Sequence, residues 1–83
     1  MATIDYKGLK KALASNAVVV VTEGFQSASL VNTGAATGYF SMSGNTFTLL
    51  ASSTFDFPTL EGNNGWKELS INGTGTTIEC AYY

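Results

Sequence analysis

The chain has 83 residues, a net charge of −2, one cysteine, no histidine and only 12% charged residues. This length corresponds to one domain, and an average soluble domain carries about 25% charged residues. A lone cysteine excludes an internal disulfide, and without histidine a structural zinc site is excluded as well. Small domains that lack both commonly gain stability by association. We therefore expect a homo-oligomer or many copies in an assembly, with no metal and no cofactor.

The placement of charge argues against binding to nucleic acid or membranes. Three of the four lysines lie within residues 7–11, and no positive charge falls between Gly24 and Trp66, whereas nucleic-acid binding needs a basic stripe. The longest apolar run, residues 17–21, is far shorter than the roughly 20 residues that span a bilayer. The N-terminus lacks the layout of a secretory signal. These features predict a soluble protein that is made in the cytoplasm.

Residues 3–15 are predicted to form a short N-terminal α-helix. Tyr6, Leu9 and Leu13 recur at spacings of three and four, which places them on one apolar stripe. Asn16 is the expected end of the helix, because asparagine tolerates the left-handed conformation found at helix ends. A helix of about three turns is unstable alone. The stripe is therefore expected to pack on the sheet of the domain or on a neighbouring molecule.

Residues 17–83 are predicted to form a β-rich body, because the apolar period changes from 3.6 to two. The run 18–21 consists of four valines and fits a strand buried on both faces. A second strand is expected to end at the Asn32-Thr33-Gly34 turn. The next strand, 39–43, places Phe40 and Met42 on one face. Gly44-Asn45 is then predicted to be a hairpin turn.

The second half of the body continues with the same alternation. Strands are expected over residues 46–51, 54–57, 66–72 and 76–83, with inward side chains at Phe47, Leu49, Phe55, Phe57, Leu69, Ile71, Ile78 and Cys80. Six or seven short strands at intervals of about ten residues are typical of a sandwich or barrel. The predicted fold is mostly β. It consists of a single small antiparallel β-sandwich or barrel-like domain, residues 1–83, with the short helix at its N-terminus.

The side chains that carry chemistry are too few to predict an enzyme. Nucleophilic catalysis needs a nucleophile, a base and a group that orients the base, and the chain has no histidine. Cys80 lies in a β-like run, as expected of a small buried hydrophobe. Asp56 with Glu61 or Glu68 offers a carboxylate pair, but the chain is too short to build a substrate cleft around it. We expect no catalytic residue.

Aromatic and apolar side chains are the candidate functional residues. Exposed aromatics beside amide-rich loops occur at the rim of a core, at protein interfaces and in glycan-binding platforms, and all three interpretations remain open at this point. The candidate interface residues are Tyr6, Leu9, Leu13, Phe25, Tyr39, Trp66, Tyr82 and Tyr83.

Three segments between residues 30 and 80 resemble small accessory structural proteins of tailed bacteriophage particles. They are Val31-Asn32-Thr33-Gly34, the stretch 52–58 (Ser-Ser-Thr-Phe-Asp-Phe-Pro), and Trp66-Lys67-Glu68-Leu69-Ser70-Ile71 followed by residues 73–79 (Gly-Thr-Gly-Thr-Thr-Ile-Glu). The resemblance covers about three-fifths of the chain and does not include the predicted helix. It implies a β-sandwich-like component of a virion, attached to the major capsid protein or to neck or tail proteins. That family has no shared catalytic motif to transfer.

The expected function is therefore structural. The chain is interpreted as a capsid decoration or cement protein that binds a viral shell and stabilises it, with other virion proteins as partners. Two alternatives belong to other classes. One is a surface recognition module that binds a glycan or a host receptor through Tyr39, Trp66, Asn63 and Asn64. The other is a small phage-encoded inhibitor of a host protein.

Overall fold

The computed structural model describes residues 10–22, 24–58 and 65–83. Eight strands follow one another in this part of the chain: β1 (Lys10–Ser15), β2 (Val18–Val21), β3 (Ala28–Asn32), β4 (Gly38–Met42), β5 (Asn45–Leu49), β6 (Thr54–Asp56), β7 (Leu69–Asn72) and β8 (Thr77–Tyr82). They form two four-stranded sheets, sheet A in the order β1-β8-β3-β6 and sheet B in the order β2-β7-β4-β5. Within the described residues, neighbouring strands of both sheets pair antiparallel. The mostly β, sandwich-like fold expected from the sequence is confirmed.

The predicted N-terminal helix is not supported. Its second half, Lys10–Ser15, is strand β1, paired with β8 from Lys10 opposite Tyr82 to Ser15 opposite Thr77. Residues 3–9 of the predicted helix lie outside the described residues. Alternation explains the difference, because Ala14 is buried while Leu13 beside it is 58% exposed, as the two faces of a strand require. No helix that could cross a membrane is present in the described part of the chain.

The core lies between the two sheets. Leu30, Ile78 and Cys80 from sheet A meet Leu69 and Ile71 from sheet B, and each of these side chains is at most 2% exposed. In β7 and β8 these are the alternate positions that the sequence predicts to face inward. Burial of apolar side chains on both inner faces is the main favourable contribution to the folding of such a sandwich.

The corner between β1 and β2 depends on a left-handed residue. Asn16, with a φ of 50°, turns the chain from β1 in sheet A to β2 in sheet B. Its backbone N–H donates to the Thr76 carbonyl at 2.9 Å, and its side-chain oxygen accepts from the Gly75 N–H at 3.0 Å. Asparagine adopts this conformation more readily than most residues. Asn16 therefore has the left-handed conformation expected of it, but it follows a strand and does not end the predicted helix.

The β4–β5 hairpin turns one residue earlier than predicted. Met42 pairs with Asn45, so the two turn residues are Ser43 and Gly44, with φ values of 54° and 80°. Positive φ at both positions is the signature of a type I′ turn, whose twist matches that of the flanking strands.

Candidate protein-interaction surface

Three of the candidate residues form a cluster at one end of the core. Phe25 and Tyr82 are 2% and 9% exposed, and their ring centroids lie 6.1 Å apart. Phe25 and Trp66 exchange two backbone hydrogen bonds, of 2.7 and 3.0 Å. The Trp66 ring packs edge-on to Phe57 at 5.4 Å, and its Nε1 donates to the Pro58 carbonyl at 3.1 Å. This cluster holds the fold together at the rim of the core.

The remaining described candidates lie on different surfaces. Leu13 is exposed on the outer face of sheet A, whereas Tyr39, which is 43% exposed, lies on the outer face of sheet B. Tyr83 is 44% exposed at the end of β8. The structure therefore does not bring Leu13, Tyr39 and Trp66 together. Tyr6, Leu9, Asn63 and Asn64 lie outside the described residues.

Tyr39 belongs to a larger surface, which we call face B. It consists of the outward side chains of sheet B, and the strand register arranges them in two rows across β2, β7, β4 and β5. The first row is Val18, Asn72, Tyr39 and Thr48; the second is Val20, Ser70, Ser41 and Thr46. Neighbours within a row belong to strands about 4.8 Å apart.

Face B carries no charged side chain among its eight members. Val18 and Val20 are 55% and 46% exposed, and the other six side chains present hydroxyl, amide or phenol groups. Lys67 and Glu68 border face B, where they line a hollow of about 370 Å³ beside the Ser43-Gly44 turn. Charge depletion with an aromatic at the centre is the composition found in the buried core of protein interfaces.

A shallow groove of about 180 Å³ marks the centre of face B. Its walls include Val18, Tyr39, Ser41, Thr46, Ser70 and Asn72. The Asn72 side-chain oxygen already accepts the Thr74 N–H at 3.0 Å, which fixes the position of that amide. An aromatic ring beside a fixed amide and three hydroxyls offers an incoming side chain both an apolar contact and hydrogen-bond partners.

The outer face of sheet A has a different character. Lys11, Glu79 and Asp56 project from it, as the strand register shows. The Asp56 carboxylate accepts a hydrogen bond of 2.6 Å from the Ser29 hydroxyl. A groove of about 390 Å³ beside Leu13 and Val31 is lined by both Lys11 and Glu79. An interface placed here would have to desolvate these charges or pair them.

Cys80 lies beneath that groove, and its thiol is buried. Burial raises the pKa of the thiol from 9.0 to about 11, so the nucleophilic thiolate is scarce at neutral pH. In the described residues, no group of three or more His, Cys, Asp or Glu side chains is placed to hold a metal ion.

Most members of face B are not among the candidate residues predicted from the sequence. Tyr39 is a candidate because it is aromatic, but the other seven side chains come from four strands whose order in sheet B the sequence does not show. Thr46 and Thr48 alternate with Phe47 and Leu49, which are predicted to face inward, so the sequence does predict that both threonines face outward. The absence of charge along those positions was the available signal. Comparison with protein-family models, with curated proteins and with solved structures finds no match for this chain.

Proposed function

We propose that this protein is a non-enzymatic component of a virus particle, a decoration or cement protein that attaches to a protein shell by laying face B on it. The observation that carries the proposal is the lack of charge on the eight side chains of face B. Such a surface reaches another protein without desolvating charged groups, which is the costly part of burying a polar interface. That the shell belongs to a phage particle is inferred from the resemblance of residues 30–80 to phage accessory proteins.

The size of face B favours a partner that offers many identical sites. Four strands at about 4.8 Å spacing and two rows about 7 Å apart along the strands cover only a few hundred square ångströms, against roughly 800 Å² per partner in a standard stable interface. A single contact of this size is weak. On a shell with repeated sites, linked copies bind with an avidity far above that of one contact.

A pair of variants tests the proposal on particles from which the protein has been deleted and then added back. Val20→Lys places a charge on face B, whereas Leu13→Lys places one on the outer face of sheet A. Both positions are exposed on edge strands, so neither variant should lose much stability. We expect Val20→Lys to abolish co-sedimentation with the particles and Leu13→Lys to co-sediment like the wild type.

Two results would count against the proposal. Equal co-sedimentation of both variants would remove face B as the attachment surface. Failure of the wild-type protein to bind particles would remove the structural role itself.

The groove beside Tyr39 supports a second candidate, recognition of a glycan. Sugars pack on aromatic rings and hydrogen-bond to amides and hydroxyls, and the groove contains all three kinds of group. In that case Tyr39→Ala would lose binding on a glycan array while particle binding stays unchanged.

A further inference from the structure

The four sheet edges differ in how they are protected against pairing with another strand. Natural edge strands carry charges, prolines or bulges, or are kept short, because their free backbone groups otherwise recruit other strands. In sheet A, β1 carries Lys10 and Lys11, and β6 has three residues, includes Asp56 and is followed by Pro58. Both edges of sheet A are therefore guarded.

Strand β5 has none of these protections. Its sequence, Asn-Thr-Phe-Thr-Leu, contains no charge and no proline, and its first four residues are exposed. The inward-facing aromatics on this side of the sandwich are also incompletely covered, since Phe47 is 47% exposed and Phe55 on β6 is 39% exposed. At the opposite edge, β2 also lacks charge, but its inward Val21 is only 5% exposed. Burial of aromatic surface thus favours β5 over β2.

The hairpin register shows which backbone groups of β5 are free. Met42 and Asn45 close a two-residue turn and form a hydrogen-bonded pair, so Phe40 and Phe47, two residues further along each strand, form the next such pair. The N–H and C=O groups of Thr46 and Thr48 therefore point away from β4. In the described part of the chain, β4 is the only strand that pairs with β5.

The sequence of β5 is symmetric around its centre. Thr46 and Thr48 flank Phe47, so a two-fold axis through Phe47 sets each Thr46 opposite Thr48 of the second copy. That register satisfies all four free backbone groups of each strand and pairs threonine with threonine, a favourable cross-strand combination. The two Phe47 rings then cover each other and shield Phe55.

We propose that the β5 edge is a self-association site, at which two copies of this chain pair antiparallel around Phe47 to form a continuous eight-stranded sheet. A two-fold, self-complementary interface of this kind is the commonest route to a homodimer. The inference does not rest on the proposed function, because it concerns a second copy and is tested without a shell. It would also join two copies of face B into one surface.

Two proline substitutions test the interface, one on β5 and a matched control on β6, each at a residue whose N–H points away from the neighbouring strand. Thr48→Pro removes a donor that points to the free edge and leaves the β4–β5 bonds intact. Thr54→Pro does the same on β6, because Phe57 N–H to Ala28 O and Asn32 N–H to Ser53 O place the Thr54 N–H on the outer side of that strand. In light scattering over a concentration series, we expect the wild type and Thr54→Pro to rise from 8.7 kDa to twice that mass, and Thr48→Pro to remain monomeric.

A cross-linking pair covers the case in which a proline variant fails to fold. Phe47→Cys sets two thiols opposite each other across the two-fold axis, within the Cα separation of about 4.4–6.8 Å that a disulfide needs. Phe55→Cys is the control on the guarded edge, and the buried Cys80 is shared by both variants. Mild oxidation should convert Phe47→Cys, but not Phe55→Cys, to a covalent dimer. A wild-type chain that stays at 8.7 kDa up to about 1 mM, or equal cross-linking of both variants, would overturn the proposal.

Discussion

The hydroxyl of Thr76 donates a 2.8 Å hydrogen bond to Oδ1 of Asn32, and this pair ties the end of β3 to the turn before β8. Asn32 is fully buried. Its Oδ1 also accepts the Gly34 N–H at 3.0 Å, and its Nδ2 donates to the Ala36 and Leu49 carbonyls at 2.8 and 2.9 Å. One amide therefore links sheet A, the loop after β3 and the end of β5 in sheet B.

Replacing this amide should destabilise the protein strongly. Asn32→Leu keeps the approximate side-chain volume but removes the acceptor of the buried Thr76 hydroxyl and the side-chain donor to the Leu49 carbonyl, so we expect a loss of about 2–4 kcal/mol in the free energy of unfolding. Urea denaturation measures it. The control is Thr33→Ala at the neighbouring exposed position, with an expected change below about 0.5 kcal/mol. Similar losses in both variants would show that the network contributes little.

Gly73 should not tolerate a side chain. A Cβ at this position would overlap the backbone carbonyl of Ala14, and a backbone atom held in the β1–β8 ladder cannot move away cheaply. We expect Gly73→Ala to lose about 1–3 kcal/mol, measured by thermal unfolding. In Gly24→Ala the new Cβ would lie 3.5 Å from the Trp66 carbonyl, an ordinary contact, so that variant should be neutral or slightly stabilised. Equal melting temperatures for the two variants would contradict this close approach.

The Cys80 thiol should make stability fall in alkaline solution. Burial raises its pKa in the folded chain to about 11 from 9.0, so the unfolded chain loses this proton at lower pH than the folded chain does. Ionisation of this thiol therefore leaves the free energy of unfolding unchanged below pH 9 and lowers it as the pH rises from 9 towards about 11. Urea unfolding with a reductant present should show a steeper decline over this range for the wild type than for Cys80→Ala. Parallel pH profiles would refute the effect.

Of two aromatic residues, one should affect stability and the other should affect particle binding. Trp66→Phe removes the hydrogen bond to the Pro58 carbonyl and part of the contact with Phe57, so we expect a loss of about 1–2 kcal/mol with unchanged particle binding. Tyr39→Ala should keep the stability of the wild type and lose particle binding, because Tyr39 is exposed on face B. Melting followed by circular dichroism and co-sedimentation with particles measure the two properties. Loss of binding in Trp66→Phe at a temperature where the variant is folded would move the interface to the other end of β7.

The strands after residue 27 could be predicted from the sequence because their side chains alternate clearly. Phe40 inward with Tyr39 outward, and Ile78 and Cys80 inward, are all as expected. β1 was missed for a physical reason. Its inward residues are Ala12 and Ala14, small because Gly73 packs closely against Ala14, and alanine favours helices in isolation. The alternation expected of a strand was therefore obscured by larger apolar residues whose spacing fits a helix.

Strand order could not be read from the sequence. Four consecutive valines predicted a strand buried on both faces, yet β2 is an edge strand with Val18 and Val20 exposed. Burial of such a run depends on which strands flank it and on what covers the sheet, and both are set by pairings between distant segments. Face B has the same origin. It exists only once β7 has been inserted between β2 and β4.

The pairing of β1 with β8 has a consequence for synthesis. Residues 10–15 pair with residues 77–82, so the first described strand to be synthesised cannot pair until the last one has been made. Sheet A can be completed only after residues 77–82 have been synthesised, and a chain without β8 has lost the strand that lies between β1 and β3. Long-range pairing of this kind slows folding and leaves apolar strands exposed meanwhile. Production in cells should therefore respond to temperature and to chaperone supply more than the small size of the chain suggests.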